Sequence, residues 1–464
     1  MSLEVTNKFS GEVHATVERS AAGDVDRALS TAARLHTSRE GLPAWRRVEI
    51  LRKAASLIRA DREALAMQIA VEGGKPLTDA LVEADRAANS TELAAQVLEE
   101  QEGRQIPMDR SAAGEGRLAF TRHVPIGPVV AVSAFNHPLN LIAHQVAPAV
   151  AANCPVIVKP AMPTPLSCLS YVRTLHEAGL PEERAQVLLI GRDGAEKLVT
   201  DPRVAFFSFI GSAAVGWMLR SKLAPGTRCA LEHGGVAPVV IAEDADIDLA
   251  AAAIAKGGYY HAGQVCVSVQ RVFAVGQSAD AMAAALSQKV AALVTGDPTK
   301  PQTEVGPLIS EADVTRVGDW VAEAVKQGAC LLNGGDAISP RVFQPTLLVD
   351  PPDTSDVARK EVFGPVVSIF RCKDMDEAIR RANAVEASFQ AAVFTRDLDT
   401  ALDASDRLNG SAVMVNDHTA FRTDWMPFAG LGPTGLGVGG VPGTFHDMSI
   451  EKMTVIKRNQ GSAT

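Results

Sequence analysis

Apolar residues recur at three- and four-residue spacing from Asp24 to Leu35 and from Val48 to Val71, the period that lays one stripe of a helix against a core. Glu72-Gly73-Gly74 ends the second run, and a third amphipathic helix covers Leu77 to Glu99. About the first hundred residues therefore read as helical. From Val124 the period changes. β-Branched apolar runs at PVVAVSAF, CPVIVK, AQVLLIG and VAFFSFIG are each followed by a helical segment. A second series starts near Pro238 with APVVIA, QRVFAVG, PVVSIF, QAAVFT and SAVMVN, and with helices at Asp246 to Gly257, Ala279 to Leu293 and Glu311 to Gln327. Strand-then-helix repetition is the signature of a doubly wound, mostly parallel sheet, so the fold class is α/β with two such units joined near Gly234-Gly235.

Two segments fit neither unit. GRLAFTRHVP and SIEKMTVIKRN alternate like strands, and paired together they form an arm suited to another subunit's sheet edge, or else a pair of surface strands on one chain. Residues 1–112 and 124–234 then make one domain, 235–443 a second, and 113–123 with 444–464 the arm. GLGPTG (430–435) and GLGVGG (435–440) match a dinucleotide fingerprint only on paper. Neither is expected to follow a strand and open a helix, and Pro433 and Pro442 argue against a helix continuing there. The chain carries no internal repeat.

Composition narrows the function classes. The chain has 464 residues, 47% hydrophobic, too long for one core. Its net charge of -9 argues against a nucleic-acid or anionic-membrane partner. Six cysteines without CxxC or Cys/His spacing point away from disulfides and metal sites and toward a reducing cytoplasm. MSLEVTNKFSGE has no basic stretch followed by an apolar one, so no signal peptide is expected. The most apolar region, Val124 to Val158, is broken by polar residues and prolines, so no membrane helix is expected either.

Candidate chemistry enters at three places. In VAFFSFIGSAAVGWMLR a strand ends at Gly211 and Ser212 stands where it can cap a helix, whose free N–H groups suit a phosphate or form an ordinary turn. Lys159 closes CPVIVK and points into the ligand crevice of an open sheet, or is a solvated strand end. HAGQVCVSVQR places Cys266 between two valines with no neighbouring cation. Taken alone, that is a small buried hydrophobe as readily as a nucleophile.

Seven pieces in order decide between these: FNHP (135–138), KPA (159–161), GSAAVG (211–216), LEHGG (231–235), GQVC (263–266), EVFGP (361–365) and VND…MPFAG…TGLG (415–437). Over essentially its whole length the chain resembles the NAD(P)-dependent aldehyde dehydrogenase superfamily. The resemblance implies that fold, two Rossmann-like domains with a small β oligomerisation arm, the first domain binding cofactor and the second catalytic, in a homodimer or homotetramer. It implies oxidation of an aldehyde to the carboxylate with NAD or NADP. Cys266 would be the nucleophile, Asn136 the oxyanion donor and Glu232 the activator of the water that hydrolyses a Cys266 thioester. Lys159, Met162, Gly211, Ser212, Gly216, Glu361 and Phe363 would line the cofactor, and no metal is implied. His261 reads as structural.

Departures from the family pattern bear on cofactor and reaction. Met162 stands where glutamate often binds the adenosine ribose, which leaves NAD against NADP open. Val236 replaces a usual lysine, and Gly432 and Gly439 replace a usual lysine and glutamate of the tail. Relatives that acylate coenzyme A commonly lack the glutamate kept here as Glu232, which favours water. A coenzyme A-acylating enzyme and a non-catalytic nucleotide-binding member of the fold remain the alternatives. Phe135, Val265, Val267 and Phe428 would line an apolar tunnel. His137 and Arg422 would hold a small anionic tail, although Arg422 equally reads as a solvated loop residue. GQVCVSVQR resembles branches acting on short hydroxylated aldehydes.

Overall fold

The computed structural model describes residues 2–385 and 389–458; residue 1, residues 386–388 and residues 459–464 of the expected arm lie outside the described residues. The first strand series builds a six-stranded sheet in the order Gly435–Leu436, Arg228–Glu232, Phe206–Ile210, Val129–Val132, Val156–Lys159, Ala185–Val187. All but Gly435–Leu436 run parallel, and that short strand returns from the tail to pair antiparallel with Arg228–Glu232. Strand order reverses direction between Val129–Val132 and Phe206–Ile210, which opens a crevice at the carboxyl ends of these strands. Lys159, paired with Val132, lies at that end.

The second series forms a seven-stranded sheet ordered Cys330–Asn333, Thr346–Val349, Val366–Cys372, Val269–Val275, Ala237–Ile241, Gln390–Phe394, Ala412–Val415. Only Cys330–Asn333 is antiparallel. Both sheets are apolar on both faces, as helix-covered parallel sheets must be: every residue of Val129–Val132, Ala237–Ile241 and Val269–Val275 is buried. Ser449–Lys457 pairs antiparallel with Arg117–Pro125 along its full length, and Gln105–Ile106 adds a short third strand.

Four expectations are corrected. The N-terminal region is not all helical, because SLEVT and VHATVE pair as an antiparallel hairpin, Ser2–Thr6 with Val13–Glu18. The helix read from Val48 to Val71 is two, Ala44–Ala60 and Arg62–Gly73, separated at Asp61, whose φ of -95° and ψ of 16° leave the helical well. GLGVGG does open a helix, Val441–Asp447, because a proline in the first turn gives up an N–H that has no partner there anyway. It still lacks the βαβ context, since Gly435–Leu436 is an antiparallel edge. Finally, AQVLLIG yields only the strand Ala185–Val187.

Candidate active site

The loop before Val269–Val275 carries Cys266 and is held in a costly conformation. His261, Ala262 and Gly263 have φ of 48°, 53° and 70°, and a Cβ on Gly263 would collide with the Gly364 carbonyl. That contact ties the cysteine loop to the turn bearing Glu361 and Phe363. Gln264 completes the tether: its side chain donates to the carbonyls of His261 (3.2 Å) and Pro307 (3.3 Å) and accepts from Ile309 N (2.9 Å). Gln264 is therefore a buried internal strut of the loop. Its own carbonyl accepts from Asn136 Nδ2 at 2.9 Å. One of the two Asn136 amide hydrogens is thereby spent on orientation, and the other is left to donate.

Cys266 is half-buried at the end of an apolar cluster made by Val265, Val267, Phe389 and Phe428, whose two phenyl rings stack at 4.1 Å. Its thiol is pushed up to about 12, first by burial and then by the carboxylates of Glu361 and Glu232, while Arg422 pulls the other way. Glu232 ends the Arg228–Glu232 strand, and burial lifts it to about 7 against the opposing pull of Arg422. Arg422 is no solvated loop arginine. Its guanidinium lies 4.2 Å from the Phe428 ring centroid, and burial lowers its pKa. The loop that carries it is anchored by Asp424, which accepts from Arg86 (2.7 Å), shares a hydrogen bond with His144 (2.9 Å) and accepts from Asn140 Nδ2 (3.3 Å). No sequence motif pointed to Arg86, His144 or Asp424. Arg86 sits on the amphipathic helix Leu77–Glu99, and its significance is spatial.

His137 does not share the anion-holding role read for it. It is buried, shares a 3.1 Å hydrogen bond between Nε2 and the Tyr260 hydroxyl, and is held well below its ordinary pKa by burial and by the nearby Lys75. A neutral imidazole has no charge to offer a carboxylate or sulfonate. His261 is buried with both ring nitrogens unpartnered, which fits a packing role.

On the nucleotide side, Glu361 is lifted to about 8 by burial, and its Oε1 is buried without a partner. A Cβ on Gly234 would collide with that carboxylate, so glycine is what gives it room. Phe363, at φ 48°, meets Phe135 edge-on with centroids 5.7 Å apart. Ser212 stands at the N-cap of Ala213–Arg220, but its hydroxyl makes no capping bond, contrary to the capping read from sequence. Gly216 faces His233, whose Nδ1 donates to the Gly211 carbonyl at 2.9 Å, and a Cβ there would strike the imidazole. A Cβ on Gly211 would lie 2.9 Å from the Phe209 ring. Met162 is half-buried beyond Lys159, whose pKa burial lowers. An orphaned carboxylate oxygen, a lysine at a strand end and a helix start with its first N–H groups uncapped suit the ribose hydroxyls and pyrophosphate of a dinucleotide. Among the described residues no His, Cys, Asp and Glu group is placed to hold a metal ion.

The model of the family described as "Aldehyde dehydrogenase family" matches residues 1–454. A 3-sulfolactaldehyde dehydrogenase of Priestia aryabhattai is 35% identical over 455 residues, 98% of this chain and 94% of that protein. Aldehyde dehydrogenase 21 of Physcomitrella patens, solved with the reaction product succinate, superposes with a TM-score of 0.95 at 34% identity, covering 100% of this chain and 96% of that one. The glyceraldehyde-3-phosphate dehydrogenase of Methanocaldococcus jannaschii complexed with NADP gives 0.94 at 33% identity, covering 98% and 99%.

Proposed function

The chain belongs to the aldehyde dehydrogenase family and oxidises an aldehyde, and on that premise we propose that it takes a small, hydroxylated or anionic aldehyde to the carboxylate through Cys266, Asn136 and Glu232. One observation carries the reading. Cys266, Glu232, Glu361 and Arg422 come from four separate segments, yet each of the other three acts electrostatically on the Cys266 thiol.

The six-stranded unit binds NAD or NADP, with Lys159, Met162, Gly211, Ser212, Gly216, Glu361 and Phe363 at the dinucleotide, and the seven-stranded unit supplies the nucleophile. When bound, the nicotinamide supplies the hydride acceptor. The residues of the chain do the rest. Cys266 gives its proton to solvent water and its sulfur bonds to the aldehyde carbon as the carbonyl electron pair moves onto oxygen, which accepts from the free Asn136 N–H and the Cys266 backbone N–H. Each such donor is worth about 3 kcal/mol in comparable sites. With the hydride gone, the carbon is held as a thioester. Glu232 takes a proton from water as the water oxygen bonds to the acyl carbon, the C–S bond breaks with its electron pair on sulfur, Glu232 returns its proton to that sulfur, and the acid product sheds its own proton to solvent. A base near 7 is matched to that task at neutral pH.

Arg422 sets the substrate class. It lies over Phe428, which packs with Val265, Val267 and Phe389 into an apolar slot beside Cys266. A short aldehyde with a carboxylate, sulfonate or phosphate tail suits that slot. Relatives named for sulfolactaldehyde, and one solved with succinate, support this. The chain works as a homodimer or homotetramer in the cytoplasm. Among the described residues no helix is long and apolar enough to cross a membrane.

The test is kcat/KM over sulfolactaldehyde, lactaldehyde, succinic semialdehyde and benzaldehyde, each with NAD and NADP and each with and without coenzyme A. Anionic aldehydes should lead. A strict requirement for coenzyme A, or a preference for benzaldehyde, overturns the reading.

A further inference from the structure

Gly439 ends the two-residue strand Val438–Gly439 and lies opposite Phe428 in the ribbon that strand makes with Phe428–Ala429. Its backbone is outside the left-handed region, so conformation does not call for glycine there. Space does. A Cβ at 439 would collide with Glu232 Oε1, and its next neighbour, the Phe428 carbonyl oxygen, is 3.2 Å away. The adjacent Gly440 is glycine for other reasons, a φ of +93° and the Met426 carbonyl, which would lie 2.8 Å from its Cβ; the Arg422 Nη2 passes at an ordinary contact distance of 3.6 Å. Gly439 thus opens a recess that takes the carboxylate of Glu232, with the Arg422 guanidinium passing beside the next residue. The strand pairing of Gly435 with Glu232 fixes the register that brings the recess to this carboxylate.

We propose that Gly439 is a positioning residue: where the family usually carries a glutamate, its missing side chain forms a seat in which the Glu232 carboxylate of this chain rests beside Cys266 and Arg422, and a methyl group there drives the carboxylate off that station. The inference rests on the reading of Glu232 as the base for thioester hydrolysis. The colliding atom is the far end of a flexible side chain, so Gly439→Ala displaces Glu232 and leaves the ribbon standing. Displacement by about an ångström is worth up to roughly 100-fold in rate. The charged and titratable groups facing Glu232 are Arg422, from the loop after Asn416, and Cys266, from the cysteine loop. A shifted carboxylate meets both at new distances, and the pH profile moves.

The test compares wild type, Gly439→Ala, Glu232→Gln, Glu232→Ala and the Glu232→Ala/Gly439→Ala double variant. We expect Gly439→Ala to keep the pre-steady-state burst of reduced cofactor, to lose about 10- to 100-fold in kcat and to shift the acid limb of kcat. In the Glu232→Ala background the same substitution should cost nothing further. Wild-type kcat and pH profile in Gly439→Ala overturn the inference, and so does an equal loss in the Glu232→Ala background. Full turnover by Glu232→Gln removes the base reading itself, a result distinct from either. Should Gly439→Ala fail to fold, normal folding of the double variant upholds the collision with Glu232, and failure of both overturns it.

Discussion

Cys266, with its thiol raised to about 12, is a poor nucleophile at neutral pH until something relieves it. The causes of the shift show what must change: burial comes first, then two carboxylates, with Arg422 and a backbone hydrogen bond at Cys266 in opposition. Replacing Cys266 by alanine should lower aldehyde turnover by on the order of 10⁴-fold or more, while titration of NADH fluorescence still reports binding. Unchanged turnover would take the thiol out of the chemistry. Arg422 gives the sharper pH test. Its charge favours the ionised form of Glu232, so in Arg422→Leu that carboxylate holds its proton to higher pH. Activity that needs the base is lost as pH falls, and the acid limb of kcat should therefore move upward. The same variant should lose about 10²-fold in kcat/KM for succinic semialdehyde, in line with one charge-assisted hydrogen bond, and little for an uncharged aldehyde. Equal losses for both would deny Arg422 a role in selecting anions. The sequence named Cys266, Glu232, Asn136 and Glu361 because each stands inside a short contiguous word. It was silent on Arg422 as the cation facing Cys266, because only the Asp424 anchor to Arg86, His144 and Asn140 brings that loop over the site.

At the scale of the element, the cysteine loop shows how a costly backbone is retained. Three consecutive left-handed residues persist because Gln264 is bonded at every side-chain atom that can bond and because Gly263 packs on the Gly364 carbonyl. Gly263→Ala should cost more than the left-handed conformation alone, about 1–2 kcal/mol. Gly432→Ala is the control: it has φ +56° with nothing within 4 Å of its Cβ, so it carries the conformational cost without the collision. Urea midpoints should fall further for Gly263→Ala, and equal falls would mean that the collision relaxes freely. Legibility varied among elements for physical reasons. The long apolar strands, buried on both faces, announced themselves by composition. The hairpin Ser2–Thr6 with Val13–Glu18 did not, since only its first strand has buried positions and its second is almost wholly polar or exposed. The break at Asp61 was hidden because one heptad-like pattern runs through both helices and the helices diverge only at their shared cap. Val441–Asp447 was missed because Pro442 reads as a breaker until its place in the first turn is known.

At the scale of the whole molecule, the strand Ser449–Lys457 is the feature that a single chain does not explain. Among the described residues it is hydrogen-bonded to Arg117–Pro125 on one edge only, and both of its faces carry exposed apolar side chains: Ile450 and Ile456 on one, Met453 and Val455 on the other. A long edge strand with such faces invites pairing unless something covers it. The arm reading supplies a second copy of the chain as that cover. Ile450→Glu/Ile456→Glu and Met453→Lys/Val455→Lys each charge one face and leave the backbone ladder to Arg117–Pro125 intact. Because all four side chains are already exposed in the single chain, each substitution should change its own stability by within about 0.5 kcal/mol. A drop in particle mass by light scattering, at an unchanged circular dichroism spectrum, would then report lost assembly and not lost folding. If only one variant lowers the mass, only that face meets a partner. If neither does at micromolar concentration, the paired strands belong to one chain alone and the arm has no part in assembly.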